Sequence, residues 1–272
     1  VLLDWRLDDL MISYSVPGGR VGPHIDQYDV FIIQGMGSRR WRVGDKLPMR
    51  QFCPHPALLH VDPFPPIIDE DLQPGDILYI PPGFPHDGIT HETALNYSVG
   101  FRGPNGRDLI SSFADYVLEN DLGGEHYSDP DLTCREHPGR VEEYELERLR
   151  GMMIDMIRQP EDFKQWFGSF VTTPRHELDI APAEPPYEEE EVVDALLGGE
   201  KLSRLSGLRV LHIGDSFFVH SEQLDTTDAE ALDALCRYTS LGQEELGSGL
   251  QNPAFVSELT RLINQGYWYF EE

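Results

Sequence analysis

The chain has 272 residues, with 21 Lys+Arg against 48 Asp+Glu, a net charge of −27, and 40% hydrophobic residues. That apolar share supports packed cores and excludes wholesale disorder, and the length suits one large domain or two to three small ones. So negative a field repels nucleic-acid phosphates and anionic lipid and favours a basic partner. No run of about 18 apolar residues offers a membrane span. Cys53, Cys134 and Cys236 are far apart and form no CxxC, which disfavours a disulfide framework or a cysteine-built zinc site and suits a reducing cytoplasm. The chain opens on Val1 with no secretory leader and runs straight into strand-like sequence, so a further upstream segment is expected.

Residues 1–105 read as β structure. MISYSV (11–16), DVFIIQ (29–34), RWRVG (40–44), DILYIP (76–81) and ALNYSVGF (94–101) are short strand-like runs broken by Gly and Pro. Many short strands without βαβ alternation predict a closed or double-sheet architecture. Residues 106–170 read as helical. Leu109, Ile110, Phe113 and Val117 form one apolar stripe, and Leu146, Leu149, Met153, Met156 and Ile157 a second, which Gln159-Pro160 should end. Such helices either pack on the β domain or pair with a second subunit. Residues 171–272 begin with a Pro-rich, acidic stretch (APAEPPYEEEE, 181–191). Helix, two strands and two helices follow, which predicts a winged-helix-like unit. Residues 181–272 carry 5 Lys+Arg and 18 Asp+Glu, or −13, opposite in sign to a DNA reader.

Three stretches carry chemistry. In GPHIDQYDVFIIQ, His24 and Asp26 are two apart, so on a strand they project to one face about 6–7 Å apart. In PGDILYIPPGFPHDG, a Pro/Gly-rich loop presents His86. Two histidines and a carboxylate form a facial triad, which leaves part of an octahedral ion's sphere open. His91 in ITHET competes as third ligand but reads as an exposed turn, and Asp87 reads as a loop carboxylate. In GSRRWRVG, an inward Trp41/Val43 face carries Arg39 inside, where a guanidinium needs a carboxylate partner. A metal-bound 2-oxo acid with a distal carboxylate would supply one. A register slip of one residue would give that role to Arg40. The polar set of ALNYSVGF makes Asn96 and Ser98 candidate co-substrate contacts, with Ser15 a further one. Tyr28 and Asp29 are candidate substrate contacts. Cys53, His55 and His60 read as ordinary loop residues.

HIDQYDVFIIQ, RRW and GDILYIPPGFPH together resemble the JmjC-type 2-oxoglutarate oxygenases. Within them, the resemblance is to the bacterial ribosomal oxygenases that hydroxylate an arginine of a large-subunit ribosomal protein. It extends over LDIAPAEPPY (178–187) and the closing QGYWYFE. It implies that His24, Asp26 and His86 take Fe(II) and that Arg39 takes the distal carboxylate of 2-oxoglutarate. It implies a mainly β fold with α: a double-stranded β-helix (cupin/JmjC-like) core, a helical dimerisation domain and a winged-helix-like C-terminal domain. It further implies a cytoplasmic homodimer acting on a basic ribosomal protein, with no DNA and no membrane. A non-redox metal-binding cupin, a cupin-linked transcriptional regulator and a protein hydroxylase with another target residue stay open.

Overall fold

The computed structural model describes residues 4–55, 58–130, 132–137, 139–225 and 228–271, and the side chains of Cys53 and His55 lie outside that description. The chain divides into two compact units, Val1–Asn105 and Gly106–Glu272. The first unit contains β1 (Leu7–Ser15), β2 (His24–Ile25), β3 (Asp29–Met36), β4 (Arg39–Gly44), β5 (Gln51–His55), β6 (Leu58–Val61), β7 (Pro66–Leu72), β8 (Ile77–Ile80), β9 (Pro85–Thr90) and β10 (Ala94–Phe101). They form a four-stranded sheet, β1-β10-β3-β8, and a six-stranded sheet, β5-β6-β2-β9-β4-β7, all antiparallel. These are the two sheets of a double-stranded β-helix.

Period-2 alternation decides what faces inward. On β3, Val30, Ile32 and Gln34 are buried, and on β4 Arg39, Trp41 and Val43 are buried while Arg40 is exposed. Val30, Ile32, Trp41, Val43, Leu78 and Ile80 make a small apolar core shared by both sheets. On β10 the small and polar set Ala94, Asn96, Ser98 and Gly100 takes the inward face, since its register partners across β3 are Gln34, Ile32 and Val30.

The second unit contains α1 (Gly106–Glu119), α2 (Glu143–Ile157), α3 (Pro160–Thr172), α4 (Glu189–Leu197), β11 (Leu202–Arg204), β12 (Val210–Ile213), β13 (Ser216–Val219), β14 (Glu222–Gln223), α5 (Ala229–Arg237), β15 (Ser240–Leu241), α6 (Gln243–Leu246), α7 (Pro253–Asn264) and β16 (Trp268–Phe270). Pro160 stops α2, as expected, but also opens α3 as its first-turn proline. The helix it starts was not anticipated as a separate element. Phe113 of α1 meets Trp166 of α3 edge-on at 5.0 Å, and the Trp166 indole N–H donates to Ser112 Oγ at 3.0 Å. β12, β13 and β14 form an antiparallel wing.

The unit's main core joins Val192 and Leu196 (α4), Leu232 and Leu235 (α5), Phe255, Leu259 and Leu262 (α7) and Trp268. α7 buries positions 255, 256, 259, 260, 262 and 263, one stripe at helical spacing. Its start is set by Asn252, whose side chain accepts from Ala254 N, followed by Pro253. Leu259 is fully buried in this core. Leu259→Ala should cost about 2–5 kcal/mol through lost burial and a residual cavity, read in urea unfolding. Of the described cysteines, Cys134 is exposed, whereas burial pushes the Cys236 thiol up to about 12. Iodoacetamide at pH 8 should therefore label Cys134 and spare Cys236 in the folded chain. Equal labelling in peptide mass maps would contradict this packing.

Candidate metal centre

β2 is only two residues long, yet it lies between β6 and β9 in the larger sheet. Its register with β9 sets His24 directly opposite His86, with ring centroids 4.1 Å apart. Asp26 follows β2, and its backbone carbonyl accepts from Gly83 N at 2.8 Å, which ties it to the turn before β9. The Asp26 carboxylate comes within 3.4 Å of His86 Nε2. One ligand atom from each of His24, Asp26 and His86 lies within 4.8 Å of the others.

The backbone fixes which nitrogen each histidine offers. His24 Nδ1 lies 2.8 Å from Gly22 O, and His86 Nδ1 lies 3.1 Å from Phe84 O. A carbonyl only accepts, so both Nδ1 atoms donate and both Nε2 atoms keep their lone pairs. Burial, then the neighbouring His86, holds His24 below the usual imidazole range, which favours the neutral, ligating form. Burial pushes the Asp26 carboxyl up. The two histidine rings beside it, His86 first, outweigh that, so the net shift is downward and favours the carboxylate. Two neutral imidazole nitrogens and one carboxylate oxygen suit a divalent transition metal.

These groups open on a cavity of about 360 Å³ lined from both sheets. Arg39 lies in its wall, 4% exposed. Its Nη1 donates to Asn96 Oδ1 at 2.7 Å and its Nη2 to Gly88 O at 3.2 Å, and its guanidinium sits 4.8 Å from the Trp41 ring centroid. Among the described residues it makes no ion pair, so a buried cation faces the cavity without a protein carboxylate. Gly88 is what lets it lie there: a Cβ at that position would be 2.8 Å from Arg39 Nε and 3.0 Å from Cζ.

Asn96 and Ser98 line the cavity as expected. Ser15 does not: it shares the inward face of β1, but its hydroxyl pairs with Thr90 Oγ1 at 2.9 Å, one step beyond the cavity. Ser13, opposite Asn96, lines it instead. Alternation along β1 gave the face but not how far the cavity reaches. Tyr28 also lines the cavity, together with Asp9, which was not anticipated. Burial and then the Asp26 and Asp9 carboxylates push the Tyr28 phenol up to about 12, so it stays a neutral hydrogen-bond donor. Asp29 lies outside the lining and accepts a bond from the Tyr79 hydroxyl.

Arg40 is exposed and paired with Asp69, and His91 is exposed beside Asp71, so neither joins the centre. His86 sits on β9 rather than in a loop. Asp87, expected as a loop carboxylate, is a strand residue buried to 1% exposure with Arg20 as its ion-pair partner. His60, expected in a loop, lies on β6 opposite His24, its ring 6.4 Å from that of His24 and stacked on Phe52. No local motif signals the His24–His60 and Arg20–Asp87 contacts, because the partners lie 36 or more residues apart (60 − 24 = 36; 87 − 20 = 67).

Residues 1–109 match a family model described as JmjC domain, and residues 155–269 match one described as ROXA-like winged helix. The chain is 62% identical over 270 residues to the ribosomal protein uL16 3-hydroxylase of Escherichia coli (strain K12), covering 99% of this chain and 72% of that protein. It is 30% identical over 261 residues to a probable ribosomal oxygenase of Haemophilus influenzae, covering 87% of this chain and 62% of that one. Among solved structures, YcfD, a ribosomal oxygenase from Escherichia coli in complex with cobalt and 2-oxoglutarate, aligns with a TM-score of 0.92 at 59% identity, covering 100% of this chain and 72% of that one.

The Gly88 contact yields a test of the cavity's cationic wall. Gly88→Ala should displace the guanidinium and weaken binding of 2-oxoglutarate or succinate by about tenfold or more, the loss of one charge-assisted hydrogen bond. Calorimetric titration measures it, and unchanged affinity would show that Arg39 does not hold the dicarboxylate.

Proposed function

The chain belongs to the JmjC-domain ribosomal oxygenases, and from that membership we propose that it is an Fe(II)- and 2-oxoglutarate-dependent hydroxylase of an arginine in a large-subunit ribosomal protein. One observation carries the reading: two histidines and a carboxylate converge at one side of a cavity whose wall holds a buried guanidinium without a protein counter-ion. A non-redox metal-binding cupin would use the same three ligands but gives no reason to bury Arg39.

In this reading His24, Asp26 and His86 hold Fe(II). Bound there, iron and 2-oxoglutarate supply the hard chemistry: oxidative decarboxylation to succinate and CO2, with one atom of dioxygen entering an unactivated C–H bond. The chain's own groups bind, orient and exclude water. Arg39 grips the distal carboxylate, Asn96 orients Arg39, and Ser98 and Ser13 offer hydroxyls to the co-substrate. Ser15 supports the wall through Thr90. Val30, Ile32 and Trp41 keep the cavity apolar around the reacting carbon. No general base is required.

The choice of arginine rests on the relative's activity and on chemistry at the cavity. The Asp9 carboxylate and the neutral Tyr28 phenol lie together there, a pairing that suits a guanidinium. A net charge of −27 favours approach of a strongly basic ribosomal protein. The −13 over residues 181–272 argues against DNA as a partner of the winged unit. No helix among the described residues is long and apolar enough to cross a membrane, and a ribosomal substrate suits the cytoplasm. The proposed division is residues 1–105 for catalysis, 106–170 for homodimerisation and 171–272 for the winged unit. Leu146, Leu149, Met153 and Ile157 of α2 form an exposed apolar stripe of the kind a second copy would cover.

Mass spectrometry of ribosomal proteins from cells with and without this protein tests the reading. The expected result is one added oxygen on one arginine, lost in an Asp26→Ala variant. Persistence of the modification in that variant would falsify the site, and an added oxygen on another residue type would replace the proposed target.

A further inference from the structure

The connection between β1 and β2, residues 16–23, reads VPGGRVGP, with three glycines and two prolines. Such a segment has few side chains with which to hold itself in place. It nevertheless carries two parts of the centre. Val21 lines the cavity while remaining half exposed, which puts it at the mouth. The Gly22 carbonyl accepts from His24 Nδ1 and so sets that ring's tautomer.

Two kinds of contact tether the segment to β9. Its backbone bonds to β9 reach a single residue: Gly18 N donates to Thr90 O at 2.8 Å, and Thr90 N donates to Gly19 O at 3.2 Å, while at its far end Pro23 O accepts from Val61 N of β6 at 3.0 Å. The other contact is ionic. Arg20 Nη2 donates to Asp87 Oδ2 at 2.7 Å, and the Asp87 side chain is 2% exposed against 46% for Arg20. Asp87 Oδ1 has no hydrogen-bond partner, and Arg20 is the one cation within ion-pair distance of Asp87 among the described residues. A buried carboxylate with one partner binds that partner strongly, because losing it leaves an uncompensated charge. Asp87 is also the strand neighbour of His86.

We infer that Arg20 is a positioning residue, whose ion pair with Asp87 pins residues 16–23 so that Gly22 orients His24 and Val21 walls the cavity beside His86. The inference rests on the reading of His24 and His86 as metal ligands. One contact on the outer side of the sheet thus steadies a histidine on each of two strands. The contact is a single Nη2–Oδ2 bond rather than a two-pronged one, so a lysine at position 20 should partly replace it.

The test uses the full chain, stripped of metal, as Arg20→Gln, Arg20→Lys, Asp87→Asn and the Arg20→Gln/Asp87→Asn double variant. Three measurements are made: hydrogen exchange at the Gly18 and Thr90 amides, the nitrogen-15 shifts of His24, and Co(II) affinity by visible absorbance. Arg20→Gln should speed both amides about tenfold or more, mix the His24 tautomers, and weaken Co(II) binding by about tenfold, in the range seen when a ligand-orienting partner is lost. Arg20→Lys should recover most of each loss. The double variant should be no worse than the poorer single one, since both remove one contact. Wild-type exchange, tautomer and Co(II) affinity in Arg20→Gln would overturn the inference. If Arg20→Gln unfolds, Asp87→Asn, which leaves no buried charge, decides by the same three measurements. His24→Ala is the separate control: wild-type Co(II) affinity there overturns the ligand reading, while exchange and tautomer still judge the latch.

Discussion

The antiparallel pairing of β2 with β9 is the constraint on which the rest depends. Two residues of strand suffice to set His24 against His86, and the turn ending at Phe84 brings Asp26 in from the side. Bringing these donors together costs more than packing apolar residues there. Two imidazoles and a carboxylate are taken partly out of water, and the lone pairs on Nε2 gain no protein donor in exchange. A structure tolerates such a cluster where something binds it. The two Nδ1 bonds to backbone carbonyls show that the cost extends to the surrounding chain, since two loop segments are committed to fixing tautomers.

Arg39 poses the same question with the opposite sign. A guanidinium in a protein interior usually meets a carboxylate. Here it meets an amide oxygen, a backbone carbonyl and an indole face, which solvate the charge without neutralising it. Burial accordingly lowers its pKa, with Asp87 opposing at longer range. A cavity with an uncompensated cation in its wall and a candidate metal centre bearing a single carboxylate beside it is complementary to a small dianion with a chelating end. Gly88 makes this possible by what it lacks, since any side chain there would occupy the guanidinium's place.

How much of this was legible in the sequence follows from the range of each interaction. Alternation within a strand is local, so which residues share a face with Arg39 and Trp41, and that Asn96 and Ser98 share one, could be read directly, while which face of β10 turns inward needed its pairing with β3. The double-sheet core and the winged unit followed from short strands with turn signals and then from helix-strand-strand-helix order. Asp26 was placed beside His24 on one strand, yet β2 stops at Ile25. The carboxylate arrives because Gly83 N holds the Asp26 backbone, not because of the pleat. Ser15 shows the limit of alternation: the face was right, but Thr90 ends the cavity one pair too early. Asp87 and His60 looked like loop residues because their neighbourhoods are rich in Pro and Gly. Cross-strand pairing overrides that local preference.

The charge of the whole chain and the charge of the cavity act on different partners because they act over different distances. At physiological salt, screening confines the field of the acidic surface to about 8 Å. A small dianion entering the cavity comes under the influence of Arg39 and of the metal that His24, Asp26 and His86 are proposed to hold, all at contact range in a poorly hydrated space where Coulomb terms are strongest. A large basic protein meets many surface carboxylates at once, each within a screening length of some part of it. The same polypeptide can therefore carry −27 overall and still bind an anion, provided a buried uncompensated cation such as Arg39 lies in the cavity wall. Asp9 stands at this cavity rather than elsewhere on the acidic surface. In the proposed reading, its carboxylate lies where the long-range attraction of a basic chain would become a contact with one side chain, beside a phenol that stays neutral.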